Sequence, residues 1–417
     1  MASQVRGTIV DPTEAIAPET LVAELTPSGR GAIATVGIWG DRAEMIVRQV
    51  LFRRDGAPVS SLPVGRIQVC QFCCPGHPPE QVVVCRVEPR RIQIHCHGGR
   101  AAVRRVLETM AGFGARVVGW EEWLDRTASS RWHAQCLRAL AQATTPRVAG
   151  ILLDQLAGAF PRELEEIAEI LLSGERKDAE ARVRELRSRY KVGKHLLKPW
   201  FVLLAGPTNA GKSTLFNSLV GFERVIAHPM PGTTRDVVKE TVATDGWPII
   251  LADSAGFAPA ADRLDQAAMA RAQAAMEQAD LVLWVVDLSE DWVDPWAGVN
   301  RLAADLASFP VDKFLYVHNK ADLLEVPERS IRLRGRPAGI VTSAKTGEGV
   351  EALWVAIRQR LIPQAPPPGA GVPFLPEHAE LLACVERYIV EGHAGEAVAE
   401  IRRYLRSIRW LPKEKAN

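Results

Sequence analysis

Gly206-Pro207-Thr208-Asn209-Ala210-Gly211-Lys212-Ser213 decides the reading of this chain. The stretch fits G-x-x-x-x-G-K-[ST], a loop that wraps phosphate groups. Phe201 to Ala205, just before it, is an apolar run of strand length. Thr214 to Val220, just after it, reads as the first turns of a helix. Strand, Gly-rich turn and helix N-terminus in that order aim several backbone N–H groups at one spot. The two glycines let the backbone approach phosphate without a side chain in the way. Lys212 would reach the β- and γ-phosphates, and the Ser213 hydroxyl would bind Mg²⁺.

Further motifs follow in order. Gly232-Thr233-Thr234-Arg235-Asp236 lies in a Pro/Gly-rich loop. A threonine there can sense the γ-phosphate and Mg²⁺ and order a switch loop. Trp247 to Ala252 reads as a strand and runs into Asp253-Ser254-Ala255-Gly256. Asp253 would hold Mg²⁺ through water, and the Gly256 N–H would meet the γ-phosphate. Leu281 to Val286 is another buried strand. Lys313 to His318 is the next, ending in Asn319-Lys320-Ala321-Asp322. The Asp322 carboxylate can accept from both N1–H and the exocyclic amine of guanine, a pair that adenine cannot offer. Asn319 would brace the loop, and the Lys320 stem would cover the base. Ile340-Val341-Thr342 leads into Ser343-Ala344-Lys345, whose backbone would contact the guanine carbonyl. Each motif is weak alone. Five in sequence, each at the carboxyl end of a strand, sit where open α/β sheets place ligands. They predict a guanine-nucleotide domain of the P-loop, Ras-like kind, with a mostly parallel sheet. The nucleotide set is Asn209, Ala210, Gly211, Lys212, Ser213, Thr214, Thr233, Thr234, Asp253, Gly256, Asn319, Lys320, Asp322, Ser343, Ala344 and Lys345.

Phe257 follows the Asp-x-x-Gly motif. Phenylalanine cannot orient an attacking water as the glutamine of many regulatory GTPases does. Either hydrolysis is very slow or another group serves. Asn209, with carbonyls of the switch loop, can hold a monovalent cation that stabilises charge as an arginine finger does.

At 417 residues the chain is too long for one core, so two or three domains are expected. A hydrophobic share of 47% and a charged share of 24% are ordinary for a globular protein. The net charge of +2 leaves any basic surface local. Seven cysteines, an odd number, suggest reduced thiols in a cytoplasm rather than a disulfide framework. No apolar run reaches about 18 residues, so no membrane span is expected, and the N-terminus carries no apolar signal core.

Residues 1–119 read as a small α/β domain. Strands are expected over 20–25, 32–39, 66–74, 81–87 and 91–97, with helices over 43–50 and 100–110. Cys70, Cys73, Cys74 and His77 invite a zinc reading. The apolar alternation around them and the missing second Cys-x-x-Cys favour buried structural thiols. Residues 120–196 turn helical. Val148, Ile151, Leu152, Leu156, Phe160, Leu164, Ile167, Ile170 and Leu171 form a long stripe at helical spacing. Asp178 to Arg189 is a charged, helical, solvated face. The nucleotide domain spans 197–363. Pro363 to Pro373 reads as a linker, and 374–417 as one or two more helices packed back on the middle segment.

Leu21-Val22-Ala23-Glu24-Leu25-Thr26-Pro27-Ser28-Gly29-Arg30-Gly31, His97-Gly98-Gly99 and Leu156-Ala157-Gly158-Ala159-Phe160 complete a further pattern with the phosphate and switch motifs. Together they resemble the MnmE (TrmE) family, GTPases of bacterial tRNA wobble-uridine modification. The resemblance covers most of the chain. It implies a nucleotide domain inserted in a discontinuous α-helical domain, preceded by an N-terminal α/β domain. That N-terminal domain would form a homodimer and bind a tetrahydrofolate derivative. The implied partners are an MnmG-like FAD protein and tRNA at U34. Hydrolysis would be potassium-activated, and Asn209 matches the family's potassium position. Asp265 falls where the family carries a glutamate that positions the attacking water. Lys212, Asp265 and Thr234 are thus the catalytic set, and Ser213, Thr234, Asp253 and Asn209 the metal set.

There are departures. The family ends in a Cys-[hydrophobic]-Gly-Lys tail, whereas this chain ends Trp410-Leu411-Pro412-Lys413-Glu414-Lys415-Ala416-Asn417. Glu88-Pro89-Arg90-Arg91 stands where the family has Gly-Glu-Asp, and the helical segment is short. A divergent paralogue, a GTP-dependent dimerising switch or a ribosome-assembly GTPase without tRNA-modifying activity is the alternative. On that reading tRNA modification is weak or lost, unless residues such as Arg30, Arg90, Arg91 or His97 have taken over. Arg90 and Arg91 are the candidates to meet folate's glutamate carboxylate.

Overall fold

The computed structural model describes residues 19–27, 31–225, 238–253, 274–292 and 313–409. Thr233, Thr234, Gly256, Phe257 and Asp265 lie outside the described residues, as do Arg30 and the last eight positions. Contacts divide the chain into two units, Met1–Ala134 and Gln135–Asn417.

The first unit is built from strands β1 (Leu21–Glu24) and β2 (Ile33–Trp39), helix α1 (Ala43–Arg48), and strands β3 (Leu51–Phe52), β4 (Ile67–Phe72), β5 (Glu80–Glu88) and β6 (Arg91–His97). Helix α2 (Arg100–Gly112), strand β7 (Arg116–Val117) and helix α3 (Trp120–Thr127) follow. The described strands form one sheet in the order β3-β4-β5-β6-β2-β1-β7, antiparallel except where β7 joins β1. The expected alternation is visible in β6, which buries Ile92, Ile94 and Cys96 and turns Gln93 and His95 to the other face. Helix α2 buries Val103, Val106 and Met110, one face of a 3.6-residue period. These join Val36, Ile38, Ile46 and Val84 in a single core. Cys70 and Cys96 lie inside it. Burial pushes both thiols up, Cys96 to about 11 with Glu80 adding to the effect. A thiol held neutral is a poor metal ligand. Among the described residues no group of three or more His, Cys, Asp or Glu is placed to hold a metal.

Helix α4 (Arg131–Ala141) spans the division. The second unit continues with α5 (Pro146–Leu156), α6 (Ala159–Leu172), α7 (Arg176–Ser188) and α8 (Tyr190–Gly193). Thr145 caps α5, its hydroxyl accepting from Val148 N at 3.2 Å, with Pro146 in the first turn. The long stripe runs over two helices, α5 and α6, that meet at Ala157 and Gly158. Strand β8 (Trp200–Ala205) then opens the nucleotide region. It is followed by α9 (Lys212–Phe222), β9 (Arg224–Val225), β10 (Val238–Thr244), β11 (Trp247–Asp253), β12 (Leu281–Asp287) and β13 (Phe314–Asn319). The chain goes on through α10 (Val326–Arg332), β14 (Gly339–Val341), α11 (Val350–Leu361), α12 (Pro376–Glu391) and α13 (Ala394–Ser407).

The second sheet runs β14-β13-β12-β8-β11-β10-β9. The first five in that order are parallel, and β10 and β9 add an antiparallel edge. Every residue of β12 is buried, as a strand covered on both faces requires. The tip of the β10–β11 hairpin docks on the start of α5. Thr145 Oγ1 donates to Gly246 O at 2.6 Å, Arg147 pairs with Asp245 at 3.1 Å, and its guanidinium lies 5.2 Å over the Trp247 ring.

Helix α12 packs on α7, and α13 on α6 and α12. The Pro363–Pro373 stretch lies against these helices. Gly369 N donates to Asp154 at 2.9 Å, Gly371 N to Glu163 at 2.6 Å, and Val372 N to Gln155 at 2.9 Å. Side chains thus satisfy backbone groups that a free linker would leave to water.

His378 sits fully buried at the start of α12. Its Nδ1 accepts from Phe374 N at 3.1 Å and Leu375 N at 3.3 Å, and its ring stacks 4.7 Å from Phe160. Burial pushes the imidazole from the ordinary 6.5 down to about 3. The fold selects the neutral ring, so its contribution is intact above pH 6.5 and is lost as pH falls from 6.5 towards 3. The expected loss is at most about 1.4 kcal/mol per pH unit. Thermal unfolding between pH 7 and 4.5 checks this. His378→Gln should flatten the dependence relative to the native chain, and identical slopes would contradict it.

Candidate functional site

The chain leaves β8 at Ala205 and reaches α9 at Lys212 through the Gly-rich turn. Gly206 has φ +137°, and a Cβ there would lie 2.1 Å from Val285 O of the neighbouring strand. Only glycine fits. Gly211 has φ +86°, and a Cβ there would lie 2.5 Å from Asn319 Nδ2. Asn209, an exposed residue, takes a left-handed φ of 63° between them. Lys212 is buried, and its Nζ donates to Gly206 O at 3.0 Å and Pro207 O at 2.7 Å. The lysine therefore spans its own loop. Burial lowers its pKa, with Asp253 opposing. An ammonium poised in this way gains when an anion enters the loop.

Ser213 and Thr214 are exposed at the first turn of α9. Asp253 ends β11 with 3% exposure. Its Oδ1 is buried and has no hydrogen-bond partner among the described residues. A buried carboxylate oxygen left without a donor suits a cation or its water shell. Ser213 and Asp253 therefore fit the Mg²⁺ that the sequence implies.

The base loop is braced from several sides. Asn319, 1% exposed, donates from Nδ2 to Ala210 O at 2.9 Å. Its Oδ1 accepts from Ala344 N at 3.0 Å and Thr342 Oγ1 at 3.2 Å. One amide thus ties the phosphate loop to the loop after β14. Asp322 accepts from Ser343 Oγ at 2.6 Å, which orients the carboxylate from one side. Lys345 is exposed beyond it. Lys320, at φ 63°, pairs with Asp287 at 2.7 Å.

The structure thus brings Asn209 to Thr214, Asp253, Asn319, Lys320, Asp322 and Ser343 to Lys345 to the carboxyl ends of the parallel strands of one sheet. Sequence reasoning passed over Thr342, the Ser343 hydroxyl and Asp287. The signal for Asp287 was an acid closing the apolar run Leu281 to Val286. Arg90 and Arg91, nominated for a folate carboxylate, are engaged elsewhere. Arg90 pairs with Asp41 at 2.7 Å and lies 4.7 Å over the Trp39 ring. Arg91 donates to Thr127 O at 2.8 Å. Arg90 thus rests on a half-exposed ion pair and Arg91 on a backbone carbonyl.

Residues 201–320 match the family model described as a 50S ribosome-binding GTPase. The chain is 30% identical to the tRNA modification GTPase MnmE of Alkalilimnicola ehrlichii, over 92% of this chain and 93% of that protein. The chain belongs to the MnmE family. The MnmE of Prochlorococcus marinus is 31% identical over 81% of this chain and 79% of that one. A solved GTP-binding protein of Sulfolobus solfataricus, in complex with GDP, is 18% identical over 64% of this chain and 77% of that one, with a TM-score of 0.30. Among the described residues of this MnmE-family chain, no helix is long and apolar enough to cross a membrane.

Asp322→Asn should weaken GTP and favour xanthosine triphosphate, since the amide can donate to the extra carbonyl of xanthine. Competition binding with GTP, ATP and xanthosine triphosphate reads this directly. ATP competing as well as GTP in the native chain would refute the base site.

Proposed function

We propose that this chain hydrolyses GTP to GDP and phosphate in the service of tRNA wobble-uridine (U34) modification. The observation that carries the nucleotide site is the Asn319 amide, which joins the phosphate loop to the base loop in one buried network, and the GTPase family match supports hydrolysis there. Family membership over nearly the whole chain supports the tRNA half.

Lys212 would leave the carbonyls of Gly206 and Pro207 for the γ-phosphate and neutralise charge growing on the β–γ bridge. Backbone N–H groups of residues 209–213 would hold the β-phosphate from the α9 N-terminus. Ser213, Asp253 and Thr234 would hold Mg²⁺, which supplies charge compensation on the β- and γ-oxygens. Asn209 would hold K⁺, which supplies the positive charge that an arginine finger gives elsewhere. Asp265 would position the attacking water, the role for which Phe257 is unsuited. Asp322 would read the guanine edge, with Ser343, Ala344 and Lys345 closing the slot.

Residues 197–363 form a nucleotide domain inserted between helical segments 120–196 and 374–417. Residues 1–119 form the domain through which two copies dimerise. An MnmG-like FAD protein and tRNA complete the reaction. A tetrahydrofolate derivative held by residues 1–119 would supply the one-carbon unit.

Two experiments test this. GTP turnover should be faster in potassium than in sodium, and Asn209→Ala should remove the difference. Equal rates in both salts would sink the cation site. The chain should restore modified wobble uridine, read by mass spectrometry of tRNA, in a bacterium lacking its own MnmE. Turnover without restored modification would favour the GTP-dependent switch or a ribosome-assembly role.

A further inference from the structure

Asp287 closes β12, and the strand register sets it opposite Asn319 on β13. Its side chain is 6% exposed, and both of its oxygens are engaged. Oδ2 meets Lys320 Nζ at 2.7 Å. Oδ1 accepts from Ser289 N at 2.9 Å and Ser289 Oγ at 2.6 Å. The carboxylate is therefore fixed in rotation. Its backbone is fixed too, because Arg336 Nη1 donates to Asp287 O at 3.0 Å and Arg336 Nη2 to Leu288 O at 3.2 Å. Leu288 N donates to Asn319 O at 2.9 Å, which locks this corner to the base loop.

Lys320 is an unusual residue to find held this way. Its backbone is left-handed at φ 63°, a conformation that costs a side-chain-bearing residue free energy. Its side chain is 31% exposed, so water would readily accept the ammonium. Instead the stem runs past the phosphate loop. A Cβ built on Gly211 would lie 3.8 Å from Lys320 Cε. The lysine thus starts at the base loop, passes the Gly-rich turn and is anchored on a third strand.

We propose that Asp287 is a positioning residue for nucleotide binding: it holds Lys320 extended, so that the methylene stem forms a fixed wall of the base slot. The inference rests on the base-site reading above. Burial alone would raise the Asp287 carboxyl, but the Lys320 and Ser289 hydrogen bonds outweigh it and hold it below the ordinary carboxylate range. The anchor therefore stays charged across the neutral range. A stem packed on a base does not distinguish guanine from hypoxanthine, whereas Asp322 reads the exocyclic amine that hypoxanthine lacks. Loss of the anchor should weaken both nucleotides together and leave their ratio unchanged.

The test is a double-mutant cycle on the full chain, with GDP, inosine diphosphate and ADP as probes in equilibrium binding and thermal unfolding as the fold control. Asp287→Asn should weaken GDP and inosine diphosphate by the same factor, about tenfold. Turnover at saturating GTP should stay within about twofold. In a Lys320→Met background, Asp287→Asn should add no further loss. Ser289→Ala, which frees the carboxylate to rotate, should give a smaller loss in the same direction and serves if Asp287→Asn does not fold. Additive effects in the cycle, or a folded Asp287→Asn or Ser289→Ala variant with native GDP affinity, would overturn the inference. If the native chain binds ADP as well as GDP, the base-site reading falls and the inference falls with it. GDP selectivity in the native chain with an unchanged Asp287→Asn variant removes this inference alone.

Discussion

A single buried amide fixes the geometry of the nucleotide edge. Asn319 offers a donor to Ala210 on the phosphate loop and an acceptor to Ala344 and Thr342 on the loop after β14. Neither loop is regular structure, and neither would hold its shape from local preference alone. Burial makes the arrangement strict, because each polar group left unpaired there costs about 1–3 kcal/mol. Gly211 is pressed against the same amide, so the glycine in the phosphate loop is demanded by the base loop as much as by its own turn. The two halves of the site are in effect one structure with a shared centre.

The sheet beneath makes this centre possible. Strand β12 is buried from end to end and separates β8 from β13, so the phosphate loop and the base loop rise from strands on either side of it. Parallel register puts their carboxyl ends at one edge. At the opposite end of β11, away from Asp253, Trp247 and the Asp245-Gly246 turn are clasped by Thr145 and Arg147. One strand thus has its first residue against a helix and its last at the nucleotide edge.

Legibility in the sequence followed local chemistry. The phosphate loop, Asp253 and Asn319 to Asp322 were readable because short motifs fix them. Strands β8, β12 and β13 were readable because strands covered on both faces are rich in apolar residues, β12 throughout its length. Strand β10 was passed over. Val238-Lys239-Glu240-Thr241-Val242-Ala243-Thr244 carries two charges and owes its state to pairing with β11. Helix α11, with Val350, Leu353, Trp354, Ile357 and Leu361 buried, shows helical spacing that motif order alone does not use. The Lys320–Asp287 pair and the fates of Arg90 and Arg91 depend on partners far along the chain. Composition gives no sign of them. The Pro/Gly content of 363–373 reads as a linker, and composition gives no sign that its backbone groups meet Asp154, Gln155 and Glu163 on helices read separately.

Gly193 and Pro373 meet so closely that a Cβ on the glycine would fall 1.9 Å from the Pro373 carbonyl oxygen. This crossing closes a loop that contains all of β8 to α11. Closure entropy grows only with the logarithm of loop length, about 0.6 kcal/mol for each doubling. The cost of closing so long a stretch is therefore little more than that of closing one half its length. The sheet around β12 draws its strand pairings from within that stretch of chain, and the Gly193–Pro373 crossing ties the two ends of the stretch together.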